Sequence, residues 1–233
     1  MIKKLMDGAL KIGVILNIEK AEKYIKYLDM LCDKNSVVNL TAIRDKEEII
    51  EKHFIDSLIV SKYIPLNAKT AIDIGTGAGF PGMALAILRE DIEFTLLDSI
   101  DKKMEFLREV KKELNLENVT VVTGRAEDFI KEGYREYFDL GLCRGVAELR
   151  VILEYMIPFL KDKGVFLSQK FSADDEIKEA ENAFKILNSE IKKIHNFTLP
   201  FSNDNRKIIE IIKNDITDIK YPRKAGTAKK RPL

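Results

Sequence analysis

Ten consecutive residues hold most of the chemistry in this sequence: Asp73-Ile74-Gly75-Thr76-Gly77-Ala78-Gly79-Phe80-Pro81-Gly82. Glycines at such spacing let a backbone turn tightly and approach a ligand that a Cβ would exclude. Read literally, Gly77, Gly79 and Gly82 satisfy a dinucleotide fingerprint, which by itself is a weak signal. Asp98 follows about twenty residues on, where a carboxylate accepts hydrogen bonds from ribose hydroxyls. That geometry serves NAD and S-adenosylmethionine alike, so an oxidoreductase and a methyltransferase both stand at this point. Three features favour the second. Asp73, just before the glycines, suits a ligand's ammonium group but would repel a pyrophosphate. Gly124-Arg125-Ala126-Glu127-Asp128 is placed for adenine recognition, and the chain ends in a hairpin rather than another strand–helix unit.

Other reactive side chains are few. Cys143 near the end of an expected strand offers a nucleophile of the kind used for cytosine C5 methylation, with Arg144 beside it to lower its pKa. A packed, inert thiol is the competing reading. His53 lies on an apolar helical stripe, where a satisfied structural histidine is the usual outcome. Lys170 ends an expected strand on the side where such sheets bind ligands, and reads as a base or phosphate contact or as a peripheral salt bridge. The two cysteines cannot form a zinc site, and no metal is expected.

The elements that must position these residues follow from periodicity. Residues 1–66 read as a helical cap, with stripes at Tyr24, Ile25, Leu28, Leu31 and Cys32 and at Ile49, Ile50, His53, Phe54, Ser57 and Leu58. Asn39–Ile43 separates them as a loop. Residues 67–213 alternate strand and helix: Thr70–Ile74 then Met83–Arg89, Glu93–Asp98 then Lys102–Asn115, Val119–Thr123 then Ala126–Ile130, Phe138–Cys143 then Ala147–Phe159, Gly164–Gln169 then Asp174–Asn188. Such alternation predicts an α/β, doubly wound, mostly parallel sheet. Ser189–Leu199 and Arg206–Lys213 have no helix between them and should close the sheet as an antiparallel hairpin.

Residues 214–233 form a basic tail. Lys220, Arg223, Lys224, Lys229, Lys230 and Arg231 are unaccompanied by acids from Lys220 onward; taking these six from the chain's +1 leaves −5 for the body. An acidic body with a basic end suggests a polyanion met at one edge, the plainer reading being a solubilising terminus. Nothing in the tail anchors a fold of its own. No segment is long and apolar enough to span a bilayer, and Asp7 and Gly8 break the apolar start, so neither a signal peptide nor a membrane association is expected and a cytoplasmic location is.

Asp73–Gly82, Leu97-Asp98-Ser99, Asn39-Leu40-Thr41, His53–Leu58 and Tyr221–Thr227, in that arrangement along the chain, resemble the glucose-inhibited division protein B family, the small-subunit ribosomal RNA guanine-N7 methyltransferases. The resemblance spans about Asn39 to Leu233 and implies a Rossmann-like methyltransferase that uses S-adenosylmethionine on 16S ribosomal RNA or the small ribosomal subunit. By position it places cofactor contacts at Gly75 and Phe80, at Asp98, Ser99 and Ile100, at Ala126 and Glu127, and at Arg144; Asp73, Gly77 and Gly79 complete the expected set. Arg144, Lys170 and His53 are the candidates for a direct part in the transfer, and the tail's Arg223, Lys224, Lys229, Lys230 and Arg231 those for RNA. Two departures affect local shape: Cys143-Arg144-Gly145 where the family has Ser-Arg-Ala, and Phe171 after Lys170 where it has glycine.

Overall fold

The N-terminal stripes fold as helices in the computed structural model, which describes residues 1–233. Helix α1 (Ile2–Lys11) buries Leu5 and Ala9. Helix α2 (Ile18–Asn35) begins where the Asn17 side chain accepts the Lys20 N–H, satisfying a donor that a helix start leaves open. Its buried residues include Tyr24, Tyr27, Leu28 and Leu31, one face at three- and four-residue spacing. After the loop comes a continuous helical run: α3 (Lys46–Ile49), a wide π-wound stretch at Ile50–Ile55, and α4 (Asp56–Leu58). Single π turns occur often at functional sites, and this one carries His53.

Strand and helix then alternate: β1 (Thr70–Ile74), α5 (Gly82–Leu88), β2 (Glu93–Asp98), α6 (Asp101–Glu113), β3 (Val119–Thr123), α7 (Ala126–Phe129), β4 (Phe138–Arg144), α8 (Leu149–Met156), β5 (Leu160–Lys170), α9 (Asp174–Glu179), α10 (Glu181–Ile186), β6 (Ser189–Thr198) and β7 (Asn205–Lys213). The single helix expected over Asp174–Asn188 is divided at Ala180, whose N–H is shared between the Glu176 and Ile177 carbonyls and tightens the turn.

The seven strands order as β3-β2-β1-β4-β5-β7-β6. β1 to β5 run parallel; β7 lies antiparallel to both β5 and β6, so the final hairpin closes one edge as its missing helix implied. The strand order reverses between β1 and β4, and the crevice outside their carboxyl ends is where open α/β sheets bind ligands.

Each sheet face has its own core. One contains 43 buried residues running from Leu5 to Ile208, so the helical cap and the sheet share a single apolar interior. The Tyr24 hydroxyl donates to the Ala84 carbonyl at 2.5 Å, and the Tyr27 hydroxyl donates to that of Ala78, tying the cap to the strand–helix turn. The opposite core contains 26 buried residues, among them Tyr221 and Ala228 of the tail. There Thr227–Lys230 forms a short helical turn, α11. The tail therefore packs along the body instead of trailing from it.

Candidate functional site

The glycine loop leaves β1 and enters α5 at the switch point. Gly77 has φ +59° with nothing closer than 3.9 Å to a would-be Cβ, so its bare backbone faces open space. Gly79 is glycine for the opposite reason: a Cβ there would stand 2.2 Å from the Tyr27 hydroxyl oxygen. Asp98, at the end of β2, fixes the loop, its Oδ2 accepting the Gly77 N–H at 3.0 Å and its Oδ1 the Ile100 N–H at 3.0 Å. Each oxygen keeps a lone pair for a ligand hydroxyl.

A cleft of about 460 Å³ opens at this edge, and Gly75, Gly77, Asp98, Ser99, Ala126 and Glu127 line it. These six of the expected cofactor residues converge from the ends of β1, β2 and β3. Other members of the expected set do not reach the cleft.

Asp73 was expected to meet a ligand's ammonium group, but it is fully buried and its Oδ2 accepts the Gly82 N–H at 2.8 Å. It pins the loop from beneath, and burial raises its carboxyl to about 6. Gly79 packs against the cap, and Ile100 is exposed beside the cleft rather than in it. Phe80 and Arg144 belong to a second cluster under the loop. Arg144 Nη1 donates to Asp56 Oδ2 at 2.8 Å and to the Lys52 carbonyl at 3.1 Å; its Nη2 lies 3.0 Å from His53 Nδ1. The His53 ring stacks on Phe80 at 4.7 Å, and the Arg144 guanidinium sits 5.3 Å from the same ring.

This geometry assigns the His53 tautomer. A guanidinium only donates, so Nδ1 accepts and Nε2–H donates to Thr41 Oγ1 at 2.7 Å. Burial and the Arg144 charge lower the imidazole to about 3, which keeps it neutral. His53 is thus a satisfied positioning group, not a proton donor at neutral pH.

Lys170 is committed internally. Its ammonium donates to the Ala147 carbonyl at 2.6 Å and to Glu176 Oε2 at 2.7 Å, while Glu176 also accepts the Leu149 N–H at the start of α8. Lys170 thereby shapes the loop after β4, two of its three ammonium donors being taken up within the protein. Cys143 is 3% exposed, and burial pushes its thiol well above the ordinary range, so no thiolate is available for attack.

Arg223 was expected to meet RNA. Its Nε and Nη2 instead grip the two carboxylate oxygens of Glu154, whose side chain is 1% exposed, at 2.9 and 2.5 Å. Lys224, Lys229, Lys230 and Arg231 remain exposed.

Sequence reading missed Tyr155, Gly145, Val146 and Gly226 as lining residues of the cleft, and assigned Lys229, which also lines it, only to RNA. Tyr155 sits on α8 with its hydroxyl raised to about 12 by burial, reinforced by the charges of Glu127 and Glu154. Gly145 carried a signal, being the departure after Arg144, and Gly226 another, lying in the Tyr221–Thr227 motif; nothing in the sequence tied Gly226 or Lys229 to the cleft, because sequence distance hid it. No group of three or more His, Cys, Asp or Glu side chains is placed to hold a metal ion.

A family model described as rRNA small subunit methyltransferase G matches residues 20–209. The chain is similar to the ribosomal RNA small subunit methyltransferase G of Fusobacterium nucleatum subsp. nucleatum, 58% identical over 227 residues and 97% of both chains. It is likewise similar to the protein of that name from Acetivibrio thermocellus, 43% identical over 99% of this chain and 96% of the other. Among solved structures, a SAM dependent methyltransferase from Aquifex aeolicus aligns with TM-score 0.54 and 16% identity, covering 71% of this chain and 93% of that one. M. jannaschii TYW2 in complex with AdoMet aligns with TM-score 0.55 and 15% identity over 73% and 77%. These two likenesses concern the fold.

Proposed function

The chain belongs to the rRNA small subunit methyltransferase G family, and on that premise we propose that it transfers the methyl group of S-adenosylmethionine to N7 of a guanine in bacterial 16S ribosomal RNA. The observation that carries the reading is the pairing of the Gly77 N–H with the Asp98 carboxylate at the mouth of the switch-point cleft. It leaves a bare backbone and an acceptor where a nucleoside's hydroxyls would lie.

The cleft suits that cofactor. Asp98 would take the ribose hydroxyls with Ser99 beside it, Ala126 and Glu127 would flank the adenine side, and Gly75 and Gly77 would allow the backbone to approach the amino-acid end. Phe80, Arg144 and Asp73 support this floor from below. Bound there, S-adenosylmethionine supplies an electrophilic methyl carbon on a sulfonium.

Guanine N7 presents a lone pair and has no proton to lose, so the transfer needs no general base. The chain's contribution is then alignment of an in-line displacement, which can be worth up to about 7–11 kcal/mol. A neutral His53 and a buried Cys143 accord with that division of labour. Arg144, held by Asp56 and His53, keeps the edge beside the loop rigid. RNA phosphates would meet the exposed Lys224, Lys230 and Arg231. No helix is long and apolar enough to cross a membrane, and a ribosomal substrate would be met in the cytoplasm.

The test supplies methyl-labelled S-adenosylmethionine with small-subunit RNA, or with the subunit, from cells lacking the protein. Label mapping to one guanine N7 is the expected result. Label on a cytosine carbon, or none on either substrate, would overturn the assignment.

A further inference from the structure

The basic segment after β7 is held to the body by ties that have nothing to do with RNA. Tyr221 and Ala228 are 7% and 2% exposed in the second core. Arg223 chelates the buried Glu154 of α8, donates its backbone N–H to the same carboxylate at 2.9 Å, and reaches on to the Arg231 carbonyl at 2.8 Å. The Gly226 N–H donates to Glu127 Oε1 at 3.2 Å. Glu127 lies in α7, which leaves the carboxyl end of β3, and itself lines the cleft. The tail is thus joined to a wall of the cleft by its backbone and to α8 by Arg223.

These ties have a consequence for Lys229. Gly226 and Lys229 stand in the lining of the same cleft as Gly77 and Asp98. Of the six cations from Lys220 onward, Lys220 pairs with Asp218 and Arg223 with Glu154, whereas Lys229 forms no ion pair. An ammonium held beside a ligand cleft by an anchored segment, without a protein partner, is free to donate to a bound ligand.

We propose that the segment from Tyr221 to Leu233 is a wall of the cofactor pocket, with Lys229 donating to an acceptor of the bound cofactor. This rests on the cofactor reading above and extends it to a part of the chain far from the glycine loop in sequence. The tail then serves the small ligand as well as the RNA. Removing it opens the pocket on the side of Glu127 and Tyr155.

Two measurements test this. Calorimetric titration with S-adenosylmethionine and with S-adenosylhomocysteine compares the unaltered chain, Lys229→Ala, and a chain ending at Asp218. Lys229 is exposed, so its truncation leaves folding intact; affinity should fall about three- to fivefold, the size of one partly screened charge contact. The shortened chain should lose about tenfold or more, because it also frees the Glu127 carboxylate. In parallel, saturating S-adenosylhomocysteine should slow tryptic cleavage after Lys224, Lys229 and Lys230. Unchanged affinity in Lys229→Ala together with cleavage indifferent to the ligand would overturn the proposal even if the shortened chain failed to fold. A full-length protein with no affinity for either ligand would instead refute the cofactor reading itself, and this proposal with it.

Discussion

Cys143 and His53 show how the surroundings of a side chain decide its chemistry. Cys143 stands near the carboxyl end of β4 next to Arg144, yet that guanidinium points to Asp56 and His53 and leaves the thiol buried. Cys143→Ser should therefore keep most of its methyl-transfer activity, measured as label incorporated into RNA, and no covalent RNA adduct should form. An inactive serine variant that still binds cofactor would point back to a thiolate mechanism. His53 is lowered from the usual 6.5 to about 3 by burial and by Arg144. The unfolded chain then binds the proton more readily than the native one. Stability from this group is full above about pH 6.5 and declines as pH falls toward 3. His53→Gln removes that titration, so its destabilisation relative to the unaltered protein should shrink by up to about 2 kcal/mol between pH 7 and pH 5. Urea unfolding at both values measures it; comparing variant with parent cancels Asp73, whose raised carboxyl has the opposite pH dependence.

At the scale of elements, the bidentate pair between Arg223 and Glu154 joins the tail to α8. Breaking a buried pair from one side leaves a charge without a partner, at a cost of about 3–5 kcal/mol. Arg223→Met should lower stability by an amount of that order, and adding Glu154→Met should recover most of it, because the lone carboxylate is then gone. Denaturant midpoints of the two variants provide the check. A loss under about 1 kcal/mol for the single variant would mean that the pair behaves like an exposed one. Lys170 and Glu176 act in the same way on the other side of α8, fixing its first turn and the Ala147 carbonyl. Both ends of this helix are therefore set by charges that a sequence reading would assign to substrate.

For the whole molecule, the distribution of charge fixes how RNA binding should respond to salt. With Lys220 and Arg223 paired and Lys229 lining the cleft, Lys224, Lys230 and Arg231 remain to meet phosphate. Each phosphate neutralised on single-stranded RNA contributes about −0.7 to the log–log slope of affinity against salt, so ending the chain at Asp218 should flatten that slope by about 2 units. Filter binding across a salt series measures it, and a slope unchanged by the truncation would leave the tail with no phosphate contact. Gly226 and Lys229 also line the cleft, so the same truncation bears on the cofactor site although the glycine loop lies far away in the chain.

The sequence alone determined the alternation of strand and helix, the glycine loop, Asp98 and the closing hairpin, because each rests on local spacing or on a backbone freedom that only glycine has. It also identified the family, since several short motifs occur in order over most of the chain. Only the tertiary structure decided which charges face a ligand. Arg144, Lys170 and Arg223 looked alike as unpaired cations, and each proved to have partners: Asp56 for Arg144 and Glu154 for Arg223, both more than sixty residues away, and for Lys170 the Ala147 carbonyl with Glu176 on the next helix. Asp73 and Asp98 likewise end neighbouring parallel strands, but one lies beneath the loop and the other at its rim. Ion pairing and burial depend on contacts between segments remote in sequence, and periodicity carries no record of them.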